Sequence, residues 1–328
     1  MRFFNSLKKN LFSIDRQNFN SAALELFRFQ ARNNPVYREY LKLRNIDPQK
    51  VETVENIPFL PIEFFKTHDI KTLEWPVRQV FLSSGTTGQI PSRHLIEDPE
   101  FYLQVAENIF ARYFGPLTGY HIFGLLPSYL ERENSSLVYM VRHFIHKSRS
   151  PLSGFYLYDY DALAERLKKV TDRKILLFGV TFALLDFAES LSSPPPNLIV
   201  MDTGGMKGRK REMVREEVHE ILKKGLGCPR ICSEYGMTEL LSQAYSLGEG
   251  RYRMPPWMRV FIREINDPFH IDNRLRHGGV NIIDLANIHS CAFIETRDLG
   301  RVNEEEGFFE PLGRFDNSDI RGCNLMVV

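Results

Sequence analysis

The stretch that decides the fold is residues 174–201, which read KILLFGVTFALLDFAESLSSPPPNLIVM. The apolar run at 174–179 predicts a buried strand, 181–191 predicts a helix, and 197–201 predicts a second strand. Pro194-Pro195-Pro196 predicts a short rigid connector before that second strand. A strand, a helix and a strand in this order are the unit from which parallel sheets are built, so the stretch predicts an α/β fold.

The same alternation continues on both sides of this stretch. It predicts helices at 99–114, 136–145, 161–170 and 209–224, and strands at 121–126 and 155–158. The sheet is therefore expected to be largely parallel. Ligands in such sheets lie at the carboxyl ends of the strands, so we expect the functional site in the loops that follow them.

Three regions do not follow the alternation. Residues 20–43 have helical apolar spacing interrupted by Pro35, which predicts two short helices. Residues 56–70 contain two prolines and are expected to run over the surface of a larger body. From about residue 251, short apolar segments between turn residues predict a β-rich part. The expected organisation is an α/β body over 1–250, a β-rich subdomain over 251–312, and a hinge-like motif with a C-terminal tail over 313–328.

The composition excludes several classes of protein. The chain has 328 residues, 43% of them hydrophobic, and a net charge of +1, which gives no electrostatic case for binding nucleic acid. No apolar segment approaches ~18 residues and the N-terminus has no signal-peptide pattern, so no stable membrane insertion is expected. The cysteines are too scattered for a zinc site and indicate a reduced, cytoplasmic protein. They are Cys228, Cys232, Cys291 and Cys323.

The first candidate site is the loop at 82–88, Leu-Ser-Ser-Gly-Thr-Thr-Gly, which follows an apolar run. Its glycines let backbone N–H groups approach a ligand closely, and clustered N–H and hydroxyl groups form a concavity suited to phosphate. It is not a Walker A loop, because no Gly-Lys-Ser/Thr follows. An ordinary surface turn of the same composition stays open as the alternative.

Three further motifs follow predicted strands. Asp202-Thr203-Gly204-Gly205 permits close approach of a flat ring or a phosphate, although such a Gly pair is also a common turn. Ser233-Glu234-Tyr235-Gly236-Met237-Thr238-Glu239 combines an aromatic ring, a hydroxyl and a carboxylate suited to Mg²⁺, although Thr238 could instead cap a helix. Thr296-Arg297-Asp298-Leu299-Gly300-Arg301 places an Asp at an expected strand end, either to bind ribose hydroxyls or within an ordinary turn.

In this order the motifs resemble those of the adenylate-forming superfamily, which contains acyl- and aryl-CoA ligases, adenylation domains and firefly-type luciferases. Ser83-Ser84-Gly85-Thr86-Thr87-Gly88 resembles its phosphate loop, and Tyr235-Gly236-Met237-Thr238-Glu239 resembles its aromatic-Gly-x-Thr-Glu motif. Asp298-Leu299-Gly300-Arg301 resembles its ribose-binding motif, and Gly313-Arg314-Phe315-Asp316-Asn317 its hinge motif. The resemblance implies the family's large N-terminal domain, with stacked α/β subdomains and a β-rich subdomain.

The same resemblance implies ATP and Mg²⁺ as cofactors and a small-molecule carboxylic acid as substrate. The phosphate loop is implied to bind the β- and γ-phosphates. Glu239 is implied to hold Mg²⁺, with Thr238 at the α-phosphate. Tyr235, Gly204 and Gly205 are implied to flank the adenine, and Asp298 to bind the ribose, with Arg314 reaching toward it. Gly236 is a further implied cofactor-binding residue.

Two features of the chain depart from the superfamily's pattern and narrow the resemblance to one group of its members. The chain stops at Val328, so the family's small C-terminal domain with its catalytic lysine is expected to be missing. Lys207, Arg209 and Lys210 are candidates to replace that lysine, unless they form only the solvated first turn of a helix. A short chain with Cys323 near its end is similar to the acyl-protein synthetases of bacterial luminescence operons.

That similarity implies activation of a fatty acid as an acyl-adenylate, followed by acyl transfer to Cys323 and hand-off to a reductase or carrier protein. A chance cysteine in a tail is the alternative. The expected catalytic residues are Cys323, Thr238 and Glu239. Two other functions stay open: an acyl- or aryl-CoA ligase resembling phenylacetate-CoA ligase, and a catalytically degenerate nucleotide-binding scaffold.

Overall fold

The fold is built on one large mixed sheet. The computed structural model describes residues 2–83, 90–127, 134–204 and 213–315. Its strands are β1 (Leu60–Pro61), β2 (Gln79–Leu82), β3 (Arg93–Ile96), β4 (Tyr120–Leu125), β5 (Gly154–Phe155), β6 (Lys174–Gly179), β7 (Leu198–Asp202), β8 (Ile231–Tyr235), β9 (Ala244–Ser246), β10 (Tyr252–Arg253), β11 (Met258–Arg263), β12 (Gly278–Asp284), β13 (Phe293–Asn303) and β14 (Phe308–Arg314).

Twelve of the described strands form this sheet, in the order β11-β12-β13-β14-β10-β9-β8-β7-β6-β4-β5, with β1 paired to β13. The run from β5 to β8 is parallel, whereas the successive pairs from β8 to β11 are antiparallel. β2 and β3 form a separate antiparallel pair. The predicted α/β fold with a β-rich part is therefore confirmed. The two parts share one continuous sheet, and the division near residue 250 stays a prediction.

The described helices lie before and between these strands. They are α1 (Arg2–Asn10), α2 (Phe19–Asn33), α3 (Pro35–Leu43), α4 (Phe64–Thr67), α5 (Pro99–Phe114), α6 (Ser136–Ser148), α7 (Tyr160–Lys168), α8 (Thr181–Ser190) and α9 (Arg215–Leu226). Asn34 accepts a hydrogen bond from the Tyr37 backbone N–H, and Pro35 fills the first position of α3. The split of residues 20–43 into two helices is therefore confirmed.

Two sequence expectations need correction. Residues 56–70 do not simply run over the surface: Leu60 is fully buried and pairs in parallel register with Ile294 of β13. Pro61 is tolerated there because β1 has a pairing partner on one side only. The charged helix predicted at 209–224 begins at Arg215, and Gly227 ends it with a φ of +63°, which glycine adopts without strain.

The N-terminal helices are tied to the distant β-rich part. The buried side chain of Gln30 on α2 donates to the carbonyl of Asn287 at 3.0 Å and accepts from the backbone N–H of Ala292 at 2.9 Å. Because an unpaired buried amide is costly, these bonds fix α2 against the β12–β13 connection. None of the helices described is both long and apolar enough to cross a bilayer.

Candidate active site

A cavity of about 440 Å³ lies where β7 and β8 end and β13 passes beside them. This is the edge at which the parallel strands predict a ligand site. Of the residues predicted from sequence, the cavity is lined by Ser83, Gly236, Thr238, Glu239, Asp298 and Arg314. The predicted residues Ser84, Gly85, Thr86, Thr87, Gly88, Gly205 and Cys323 lie outside the described residues, as do the candidates Lys207, Arg209 and Lys210.

Asp298 is held between two side chains. Its Oδ2 accepts a hydrogen bond from the phenol of Tyr235 at 2.7 Å, and its Oδ1 lies 3.2 Å from Nε of Arg314. Arg314 is the cross-strand partner of Asp298 in the β13–β14 pair. Asp298 lies inside β13 and not at a strand end or turn, so that expectation was wrong. A register shift between Leu299 and Gly300 follows directly.

Tyr235 does not line the cavity, but its phenol contacts the cavity residue Asp298. Its ring packs edge-on against Phe309 at 4.9 Å between centroids. Burial and the neighbouring Asp298 carboxylate raise the pKa of its phenol well above the usual value, so the phenol stays protonated and donates. Gly204, with a φ of +74°, adjoins the cavity residue Thr203, and a Cβ there would meet no atom of the described residues within 4 Å.

Glu239 is the buried carboxylate of this part of the cavity, only 4% exposed. Burial raises the pKa of its carboxyl, against the opposing effects of a hydrogen bond from Ser92 and the positive charge of Arg314. Ser92 also closes the end of the β2–β3 hairpin: its N–H donates to Ser83 Oγ at 2.8 Å, and its carbonyl accepts from Ser83 N–H at 3.0 Å. The loop base and the carboxylate are therefore neighbours.

The turn that carries Thr238 and Glu239 is anchored by residues that sequence reasoning missed. His94 Nδ1 donates to the Thr238 carbonyl at 2.7 Å, and Asn287 Nδ2 donates to the Glu239 carbonyl at 2.7 Å. Burial lowers the pKa of His94 to about 4, so the imidazole is neutral at pH 7. Thr238 lies in a turn and caps no described helix. We call Ser83, Ser92, Thr238, Glu239, Asp298 and Arg314 the Glu239 side of the cavity.

A second group of residues, also missed from sequence, forms what we call the Glu234 side: Tyr102, Ser136, Glu234 and Gln243. Both Glu234 and Gln243 lie close to Gly236: a Cβ added there would be 2.3 Å from Glu234 Oε1 and 3.5 Å from Gln243 Cγ. Burial alone raises the pKa of Glu234 to about 8. The available signal was strand alternation, because Glu234 and Tyr235 are consecutive on β8 and must face opposite ways.

The three described cysteines are inert. Cys228, Cys232 and Cys291 are all buried free thiols. Burial raises their pKa values to about 11, 11 and 12 respectively, so almost no thiolate forms at neutral pH. All three belong to the hydrophobic core, so their role is packing.

No protein-family model matches the sequence, and no curated protein matches it. Solved structures do match. An open conformation of 2-hydroxyisobutyryl-CoA ligase in complex with 2-HIB-AMP and CoA is 12% identical, with a TM-score of 0.64 over 90% of this chain and 74% of that chain. The acyl acid amido synthetase AtGH3.15 in complex with 2,4-DB is 13% identical, with a TM-score of 0.53 over 95% and 70%.

Apo MatB from Rhodopseudomonas palustris is 14% identical, with a TM-score of 0.52 over 74% of this chain and 48% of that chain. The chain thus spans less than half the length of MatB. At such identities the likeness concerns the fold. The chain has the fold of the large N-terminal domain of adenylate-forming enzymes.

Proposed function

We propose that the chain activates a carboxylic acid with ATP and Mg²⁺. A carboxylate oxygen of the acid attacks the α-phosphorus, the bond to the pyrophosphate oxygen breaks, and an acyl-adenylate and pyrophosphate result. The observation that carries the proposal is the convergence of Asp298, Arg314, Glu239 and the base of the 83–88 loop on one cavity. Such chemistry needs positioning and charge neutralisation more than covalent help from the protein.

The residues on the Glu239 side fit the nucleotide. The Asp298 carboxylate offers about four lone-pair directions, and Tyr235 and Arg314 occupy one oxygen each, so it can still accept from ribose hydroxyls. Glu239 offers a single buried carboxylate. That suits Mg²⁺, which keeps several waters and takes further oxygens from phosphate. Among the described residues no three His, Cys, Asp or Glu side chains converge as a complete metal cage.

We further propose that the acyl group passes to Cys323. The thiolate would attack the acyl carbonyl, forming a thioester as AMP leaves. Phe315, the last described residue, donates its backbone N–H to the carbonyl of the cavity residue Arg297 at 2.8 Å. Cys323 follows eight residues later (323 − 315 = 8). Eight residues span at most about 28 Å, so the connection is long enough for a reach into the cavity.

The acyl group would then leave for a partner such as a reductase or a carrier protein, and the family resemblance implies a fatty acid as the acid. An acyl- or aryl-CoA ligase is the second candidate, because the similar 2-hydroxyisobutyryl-CoA ligase was solved with CoA. A nucleotide-binding scaffold without catalysis is the third.

Exchange of labelled pyrophosphate into ATP tests the adenylation step. The wild-type chain should show acid-dependent exchange with at least one member of a panel of fatty, aryl and amino acids. Exchange with no member of the panel, in a protein that still binds ATP, would favour the scaffold.

Intact mass after incubation with ATP and the active acid tests the transfer step. We expect one acyl adduct that hydroxylamine removes and that Cys323→Ser abolishes, while Cys228→Ser retains it because Cys228 is buried. An unmodified protein that instead forms acyl-CoA when CoA is added would replace the self-acylation proposal with the ligase.

A further inference from the structure

Two hydrogen-bond acceptors lie on the Glu234 side. Glu234 is partly exposed and has no hydrogen bond or ion pair within the described parts of the chain, and Gln243 Oε1 is buried without a partner there. Gln243 as a residue is only 4% exposed. A buried acceptor that lacks a donor costs free energy, so a ligand that supplies donors at this place is favoured.

The orientation of Gln243 follows from its surroundings. Its Nε2 donates to the carbonyl of Leu241 at 3.2 Å. A carbonyl only accepts, so the amide must present its NH₂ group to Leu241. Oε1 is therefore left as an acceptor in the part of the cavity that Glu234 also lines.

The neighbours of Glu234 do not neutralise it. It interacts electrostatically with the phenols of Tyr102, Tyr245 and Tyr252. Burial is the first cause that raises the pKa of each phenol, so all three stay uncharged. Tyr102 already donates its hydroxyl proton to the carbonyl of Ser136 at 3.1 Å. None of these neighbours carries a positive charge. A ligand cation beside Glu234 would favour its ionised form, so that Glu234 loses its proton and pairs with the cation as a carboxylate.

Strand alternation separates the Glu234 side from the proposed nucleotide site. Glu234 and Tyr235 are adjacent on β8, so their side chains leave opposite faces of the strand. Tyr235 contacts Asp298, the expected ribose ligand. With the nucleotide bound on the Glu239 side, the remainder of the acid would extend along the Glu234 side.

We infer that the acid substrate carries a protonated amine, which the Glu234 carboxylate and Gln243 Oε1 bind together over Gly236. This inference rests on the proposed acid activation and replaces a plain fatty acid by an ammonium-bearing acid. A protonated amine supplies three donors and one positive charge. An alkyl chain at the same place supplies neither a donor nor a positive charge and would leave Gln243 Oε1 unpaired, so the site should favour the ammonium-bearing acid.

The test is pyrophosphate exchange with matched pairs of acids. Each pair contains an amino acid and the acid in which methyl replaces ammonium: L-alanine with 2-methylpropanoate, 3-aminopropanoate with butanoate, and 5-aminopentanoate with hexanoate. For at least one pair we expect kcat/KM to favour the ammonium acid at least tenfold. Glu234→Gln should reduce that ratio to below threefold, whereas Glu234→Asp should keep part of it.

Glu63→Gln is the matched control. Glu63 also lines the cavity, but its carboxylate is paired with Arg297, so its removal should leave the ammonium preference unchanged. Unfolding midpoints of all variants report whether they fold. An ammonium preference that survives in Glu234→Gln would overturn the inference.

Exchange with alkanoates or fatty acids only would overturn the inference and leave the proposed adenylation standing. Exchange with no acid in either panel would overturn both. Calorimetric titration of the preferred ammonium acid gives a second readout without catalysis, and we expect binding by the wild type to be at least tenfold tighter than by Glu234→Gln.

Discussion

The two sides of the cavity differ in how their polar groups are paired. On the Glu239 side, Asp298 is bonded to Tyr235 and lies beside Arg314, and Ser92 donates to Glu239. On the Glu234 side, the carbonyl oxygen of Gln243 is buried without a donor among the described residues, and the partly exposed Glu234 has no hydrogen bond or ion pair to any of them. The polar groups of the Glu239 side are held by other side chains of the protein, whereas the Glu234 side has acceptors available for a ligand.

The difference separates two tasks. A side whose groups hold one another in place binds a constant ligand with little reorganisation, which suits a nucleotide. A side with unpaired acceptors discriminates among variable ligands, because a ligand that lacks the matching donor leaves them unsatisfied. Three predictions, ordered by the size of the expected effect, test whether the two sides behave in these distinct ways.

The largest effect is expected for Glu239→Gln, which removes the proposed Mg²⁺ carboxylate. Losing a preorganised charge in such a site costs about 10²-fold or more in kcat, so exchange should fall by at least that factor. The unfolding midpoint should not fall, because an amide is easier to bury than a carboxylate. Exchange that stays within tenfold of wild type would remove Glu239 from the proposed mechanism, and Glu63→Gln serves as the control for a cavity carboxylate.

A smaller effect is expected for Asp298→Asn. A hydrogen bond to a charged group contributes about 1.5–3 kcal/mol, so the KM for ATP should rise roughly tenfold or more with little change in kcat. Tyr235→Phe removes only the supporting phenol and should raise KM less. A fall in kcat with unchanged KM would show that Asp298 acts in the chemical step and not in ribose binding.

The smallest effect concerns stability and distinguishes the Glu234 side. The pKa of Glu234 is raised to about 8 in the folded chain, so the folded state holds its proton to a higher pH than the unfolded state. Wild-type stability from this group is present below the ordinary Glu pKa and is lost as pH rises through about 8. The glutamine of Glu234→Gln does not titrate, so the stability of this variant does not fall in this way as the pH rises.

We therefore expect Glu234→Gln to be more stable than wild type at pH 9, with a free energy of unfolding that is higher by on the order of 1 kcal/mol. This difference in stability should disappear at pH 5. Thermal denaturation at pH 5, 7 and 9 measures it. A gap that does not depend on pH would mean that Glu234 is paired or solvated in the folded chain.

Local patterns were sufficient to predict most of the α/β half. The strand at 174–179 and the helix at 99–114 have the predicted bounds, because apolar runs and the Asp98-Pro99 start are encoded within a few residues. The burial of Leu60 was missed because its partner, Ile294, lies far along the chain. Pairing across such distances leaves no local signal.

The same limit explains what was missed in the site. Ordered motifs pointed to Glu239 and Asp298, which meet in the cavity. His94 and Asn287 lie on separate segments and act through backbone carbonyls of the motif, so nothing in their own sequence marks them. Gln243 was missed for a different reason: its unpaired oxygen is visible only once the Leu241 carbonyl is seen to occupy its NH₂ group.

The pairing of β1 with β13 and of Asp298 with Arg314 has a consequence for biosynthesis. Leu60 pairs with a residue 234 positions later (294 − 60 = 234), and Arg314 lies on the last strand described. Closing so long a loop is entropically costly, and folds dominated by distant contacts form slowly. A nascent chain that does not yet include residue 314 therefore lacks the Asp298–Arg314 pair. The proposed adenylation should begin only after synthesis has passed that residue.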